Sequence, residues 1–265
     1  MNVKKHIIFN SFYPVTELSS AIDFFYYNYG EYSAISHFQT PFLHQEMVIN
    51  LGDTFQISDL KQKVLNRSLN FWVSGIQTVP LIAELHGKHR SVGILFKPWG
   101  IHQIFGTNSS ELLNEIMPGE CLEGNYIKQF ITDNQDKCFD SQFFIQLESY
   151  ILKKYKLTSL NHQLMQSVGF SPKSQEVPFN LKSLSAEYRL ASKTLIGHFN
   201  RAIGLSPNKY FNFLRVLESY RLIEDNPKTK LTQLASKLGF FDQSHFIRVF
   251  KSFCDITPSV YKKYL

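Results

Sequence analysis

No stretch of the 265 residues holds about 18 consecutive apolar side chains, and no secretory signal pattern opens the chain. A membrane-spanning helix and an export leader are therefore not expected, and the sequence reads as soluble and cytoplasmic. Cysteine is scarce: Cys121, Cys138 and Cys254 are odd in number and scattered. They fit a reducing compartment, and no two of them have metal-ligand spacing. A glycine-rich phosphate loop and a nucleophile elbow are both missing, since "GDTF" and "GKH" are too short to count. The sequence thus offers no catalytic residue, and no cofactor or metal is expected.

Hydrophobic residues reach 43% and charged residues 19%, so the chain can bury a core and is not disordered by composition. Its length allows two domains. Aromatics make up 15%, with 24 Phe and 13 Tyr, which suits a sheet-rich part. The net charge of +6 is unevenly spread. Residues 181–265 hold 14 Lys and Arg against 6 Asp and Glu, whereas residues 1–180 hold 14 against 16. All the surplus positive charge lies in the last third, which points to a polyanionic partner.

The first 125 or so residues read as short strands: "HIIFN", "AIDFFYYNYG", "EMVINLGDTFQIS", "NFWVSGIQ", "VPLIAELHG" and "SVGILFKPWG". Strands at such intervals suggest a sandwich or barrel. From Asp140 the period changes. Phe143, Phe144, Leu147, Tyr150 and Ile151 fall on one face of a helix that Asp140 can cap, and a second helical piece is expected at 158–168. The apolar stripe of the first helix is open to two readings: a contact between two copies of the chain, or packing on its own barrel. "GFSPKSQEVPFN", 169–180, reads as an exposed linker. The expected organisation is a β-rich domain at 1–168 ending in helices from 139, the linker, and an all-helical domain at 181–265.

The last part repeats itself. "LIGHFNRAIGLSPNKY" overlays "FIRVFKSFCDITPSVY" at constant offset, pairing Phe199 with Phe250, Pro207 with Pro258 and Tyr210 with Tyr261. Upstream, Leu184 pairs with Leu234 and Tyr188 with Leu238, with one extra residue in the second turn. Each copy is a short helix, a tight turn and a second helix, followed by Ser-Pro or Thr-Pro where another helix starts. This is the helix-turn-helix arrangement, whose second helix enters the DNA major groove. In the second copy the polar run Asp242, Gln243, Ser244, His245 lies at the N-terminus of that helix, with Arg248 one turn on. Asp242 is a good N-cap; Gln, Ser and Arg side chains pair with base edges. Phe246, Val249 and Phe250 face the core.

"LTQLASKLGFFDQSHFIRVFKSFCDITPSVYKK", 231–263, resembles the C-terminal signature of the AraC family of bacterial transcription regulators, and the preceding "LSAEYRLASKTLIGHFNRAIGLSPNKYFNFLR" its first helix-turn-helix. The resemblance covers about 85 residues. It implies two helix-turn-helix units joined by a long helix, about 207–224, that place two recognition helices in successive turns of double-stranded DNA. It also implies an N-terminal regulatory domain, a partnership with RNA polymerase, and no enzyme. "INLGDTFQI" and "VGILFKPWGIHQIFG" are similar to a subgroup with a cupin-like barrel. The expected fold is therefore a cupin-like β-barrel domain with linking helices and a double helix-turn-helix domain. Two departures stand out. Asp255 replaces the usual glycine after the second recognition helix, a residue that tolerates left-handed backbone. The first recognition helix carries Ile196 and Gly197 where longer polar side chains are usual, so it should read few bases, chiefly through Ser192 and Lys193.

In the β-rich part His86, His89 and His102 invite a metal reading, as in true cupins. Two histidines three apart on a strand point to different faces, and nothing completes a metal set. Trp72 and Trp99 could line a small-molecule pocket, a filled barrel core being the other reading. Competing functions are a cupin-type metal enzyme fused to a DNA-binding tail and a non-specific nucleic-acid-binding module. The leading expectation is a sequence-specific regulator whose N-terminal domain senses an effector or forms a homodimer.

Overall fold

The structure, a computed structural model, describes residues 5–67, 69–123, 125–137, 139–158 and 181–263. The expected helical piece at 158–168 and the linker at 169–180 lie almost wholly outside them. The chain divides into two compact units, one made by residues up to 160 and the other by nearly all residues beyond it.

The N-terminal unit is one antiparallel sheet of eight strands: β1 (Lys5–Phe12), β2 (Ile22–Gln39), β3 (Gln45–Asn50), β4 (Gln56–Asp59), β5 (Val64–Arg67), β6 (Phe71–Ser74), β7 (Leu81–Phe96) and β8 (Ile116–Pro118). The path runs β1-β2-β7-β3-β6-β8, with β4 on the first half of β7 and β5 on β4. "VPLIAELHG" and "SVGILFKPWG" read as two strands in sequence, yet both belong to the 16-residue β7. Gly87, at φ 76, bends the strand without ending it. Opposite this bend β2 slips register between Tyr32 and Ile35, so pairing resumes on the far side.

Strand alternation sorts the side chains onto two faces. Phe25, Met47, Ile49, Phe71, Val73, Val92, Ile94 and Phe96 form the outer core. Covering it are α1 (Gly100–Phe105), α2 (Glu120–Glu123), α3 (Tyr126–Asp133) and α4 (Ser141–Lys154). Asp140 caps α4 as expected, its Oδ1 accepting from Phe143 N at 3.0 Å. The apolar stripe of α4 packs on its own sheet. Phe143, Phe144, Leu147 and Ile151 are all at most 3% exposed, and Phe144 stacks on Phe12 at 4.4 Å. Glu148 fixes the helix further, accepting from Thr16 N at 3.2 Å and Thr16 Oγ1 at 2.6 Å. The reading of this stripe as a contact between copies is therefore corrected: the face is already filled, and only Tyr150 of the five is half-buried.

The C-terminal unit is helical: α5 (Leu181–Glu187), α6 (Ser192–Ile203), α7 (Pro207–Asp225), α8 (Leu231–Lys237), α9 (Gln243–Cys254) and α10 (Pro258–Tyr261). Pro207 and Pro258 open α7 and α10, where a missing N–H costs nothing. The scaffold is α7. Tyr210 meets Phe199 of α6 at 5.9 Å, Phe213 stacks on Phe253 at 4.9 Å and Tyr220 lies 5.0 Å from Phe250, both of α9.

Candidate nucleic-acid interface

The repeat extends to the backbone. After α8, Gly239 takes φ 68, with Gly239 N donating to Ser236 O and Phe240 N to Ala235 O. After α5, Arg189 takes φ 52, with Arg189 N donating to Ala186 O and Leu190 N to Ser185 O. This pairing of the two residues past a helix with its last carbonyls stops the helix and turns the chain sharply. Glycine takes the left-handed conformation at no steric cost, whereas Arg189 must bear one. The recognition helices end alike too, Gly204 at φ 90 and Asp255 at φ 56, so Asp255 fills the glycine position in the left-handed form expected of it.

The copies diverge just before their second helices. The extra residue of the second turn is Phe241, whose side chain is 92% exposed. Next to it, Asp242 Oδ1 accepts from His245 N at 2.6 Å, capping α9. In the first copy Ala191 stands at that position and has no side chain to cap with. The carboxylate of Asp242 thus serves the helix, and the ring of His245, half-buried, lies edge-on to Phe240 at 5.5 Å. Gln243 is half-buried. Ser244 and Arg248 are exposed one turn apart, with Lys251 completing the same face a turn further. Phe246 and Phe250 are fully buried behind them. The loop carrying Phe241 is held by Arg215 of α7, whose guanidinium lies 4.3 Å over the Phe240 ring and donates to Gly239 O at 2.9 Å.

On α6 the matching face carries Lys193, Gly197, Asn200 and Arg201, all exposed. Ser192 Oγ is 3.0 Å from Ser185 Oγ, tying α6 to α5, and Ile196 is half-buried. Gly197 stands where α9 has Arg248, and a Cβ there would meet nothing within 4 Å. Phe241, Lys251 and Arg201 were not singled out from the sequence. Lys251 and Arg201 lie at helical spacing from residues that were, so that signal was present; an exposed Phe has none.

The N-terminal unit carries a second candidate, a cavity of about 210 Å³ on the inner face of its sheet. Trp72 lines it. Trp99 does not: it is 4% exposed, and its Nε1 donates to Ser20 O at 3.0 Å, so it clamps the 3-10 turn Glu17–Ser20. His89 also faces the cavity, its Nε2 3.1 Å from His86 O. Among the described residues no group of three His, Cys, Asp or Glu could hold a metal ion.

A double helix-turn-helix unit with two exposed, polar recognition faces defines a nucleic-acid-binding class of protein. Residues 184–264 match a helix-turn-helix domain family, and residues 10–118 a domain of unknown function, DUF6597. In its C-terminal unit the chain is similar to the helix-turn-helix domain of AraC-type transcription regulators. It is 28% identical over 115 residues to the HTH-type transcriptional regulator MtrA of Neisseria gonorrhoeae, covering 43% of this chain and 36% of that one. To the HTH-type transcriptional activator RhaR of Cronobacter sakazakii it is 27% identical over 100 residues, 38% of this chain and 34% of that one. The matches thus span about a third of these relatives' length. Among solved structures, ToxT of Vibrio cholerae O395 bound to (E)-4-(8-methylnaphthalen-1-yl)but-3-enoic acid is 14% identical, with TM-score 0.46 and coverage of 98% and 99%. The DNA-binding domain of AdpA in complex with a target DNA is 21% identical, with TM-score 0.35 and coverage of 38% and 90%.

Proposed function

We propose that the chain is a sequence-specific, cytoplasmic DNA-binding transcription regulator whose N-terminal unit holds a small-molecule effector or brings two copies together. In this reading residues 1–168 are the regulatory domain, 169–180 the linker and 181–265 the DNA-binding domain. No catalytic step is assigned, and activation through RNA polymerase belongs to the reading because RhaR, a relative, is an activator.

The observation that carries it is the exposed face of α9. Ser244, Arg248 and Lys251 project from one side of a helix whose other side is buried, and the Asp242 cap fixes the start of that helix. Arg pairs with guanine O6 and N7, Ser with several base edges, and Lys with phosphate. Phe241, beside that N-terminus, offers an apolar surface of the kind that meets thymine methyls. The spacing supports two successive contacts: the 19 residues of α7 make a helix about 28 Å long, against about 34 Å between successive major-groove faces.

Arg248→Ala should weaken binding to a selected duplex by about 1–3 kcal/mol and relax preference at one base position. Titration of wild type and variant against selected and random duplexes checks this. An equal loss on both would mean that Arg248 only holds phosphate, and base reading through α9 would fall.

A further inference from the structure

The cavity of the N-terminal unit has a chemical polarity that the effector reading does not specify. Its face can be read row by row across the strands. Tyr26, Gly93, Val48 and Trp72 lie directly opposite one another on β2, β7, β3 and β6. In the next row Glu46, Ser74 and Ile116 are neighbours on β3, β6 and β8. Gly93 is required here, because a Cβ would lie 2.0 Å from the Tyr26 ring. The bare backbone lets Tyr26 lie across β7 and donate its OH to Glu46 Oε1 at 2.6 Å. Among the described residues no hydrogen bond reaches Glu46 Oε2, and Ser74 Oγ, one strand away, is buried with no partner. Directly opposite side chains on one face stand about 5 Å apart at Cβ. Glu46 Oε2 and Ser74 Oγ thus share one end of the cavity, and Ser74 Oγ is buried there without a partner.

Beside them the wall is aromatic. Phe55 stands edge-on to Trp72 at 5.5 Å, and both line the cavity. Among the described residues no lysine or arginine lines it, and Glu46 is the single acidic side chain. Burial pushes the Glu46 carboxyl above its ordinary range and holds the His89 ring below its own, so His89 is neutral near pH 7 and adds no cation. An ionised Glu46 facing, among the described residues, only neutral groups costs free energy that a bound positive charge would offset.

Resting on the effector reading above, we propose that this cavity takes a small organic cation, an ammonium group on an apolar ring. The ammonium donates to Glu46 Oε2 and Ser74 Oγ, and the ring or the charge lies against Trp72 and Phe55. Anionic effectors are excluded by the same residues, since a carboxylate or phosphate would meet Glu46 and, among the described residues, no counter-charge.

The test uses the full-length protein and three single-ring probes of matched shape: 2-phenylethylamine, 2-phenylethanol and 3-phenylpropionate. Calorimetry should show the amine binding about tenfold or more tighter than the alcohol, and no binding of the acid. Glu46→Gln keeps an acceptor for Tyr26 and should abolish the preference for the amine while leaving the melting temperature near wild type; Ser74→Ala should weaken the amine several-fold. Binding of the acid, equal binding of alcohol and amine, no binding of the amine, or an unchanged preference in Glu46→Gln would each overturn the proposal. The effector reading is scored separately, by DNA affinity with and without each probe. Acid or alcohol that binds and shifts DNA affinity leaves that reading standing and removes the cation; amine that binds without such a shift does the reverse.

Discussion

Single residues divide the two recognition helices. Arg248 and Gly197 occupy the same place in the repeat, so α9 presents a long guanidinium where α6 presents bare backbone. That difference was legible in the sequence because the repeat aligns the two positions. What Asp242 and His245 do was only half legible. A polar run at a helix start suits both capping and base contact, and the structure shows the carboxylate capping and the imidazole against Phe240. In the N-terminal unit His44 stacks on Phe42 at 4.1 Å, and burial lowers its pKa to about 4 from an ordinary 6.5. As pH falls from 6.5 toward 4, the unfolded chain takes up this proton before the folded one does, so stability is lost across that window. His44→Phe removes the titration. The melting temperature of wild type minus that of the variant should therefore fall as pH drops from 7 to 4. Parallel curves would show that the ring is not held neutral.

At the scale of elements, the sequence was most informative where polarity and period agreed. The polar cap and apolar face of α9, and the capped stripe of α4, were both read correctly as helices. The partner of the α4 stripe was not readable, because an apolar face says only that something covers it. Long-range placement decides, and here β2, β7 and the Thr16 clamp on Glu148 supply the cover. The unity of β7 escaped for the opposite reason: Gly87 looks like a strand end, and only pairing with β2 shows that it is a bend. Trp99 escaped likewise, since an aromatic fits a clamp and a pocket equally well. Leu147 is 0% exposed, so Leu147→Glu would bury an unpaired charge and should destabilise the N-terminal unit by about 4 kcal/mol or more. Circular dichroism melts and sedimentation of the same sample distinguish this from loss of an interface. A variant that melts like wild type but sediments at half its mass would return α4 to the role of a contact between copies.

For the whole molecule, the surplus of positive charge beyond residue 180 and the two exposed recognition faces in the same unit point one way. Phosphate neutralisation supplies affinity that is blind to sequence, while base-edge contacts supply discrimination. In the proposed reading both recognition helices contribute to the first, through the exposed Lys193 and Arg201 on α6 and Lys251 on α9. In that reading discrimination rests on α9, where Ser244 and Arg248 are exposed, whereas Gly197, at the place of Arg248 on α6, has no side chain to offer. A bound site should therefore be lopsided, well defined under residues 242–248 and degenerate under residues 191–201. Binding-site selection from random duplexes with the full-length protein measures this directly. The expected outcome is a motif whose fixed bases lie in one half-site, each mismatch there costing about 1–3 kcal/mol, with Arg248→Ala blurring that half and Lys193→Ala lowering affinity almost uniformly. A pool that enriches no motif, or one whose information lies under the first recognition helix, would contradict the account.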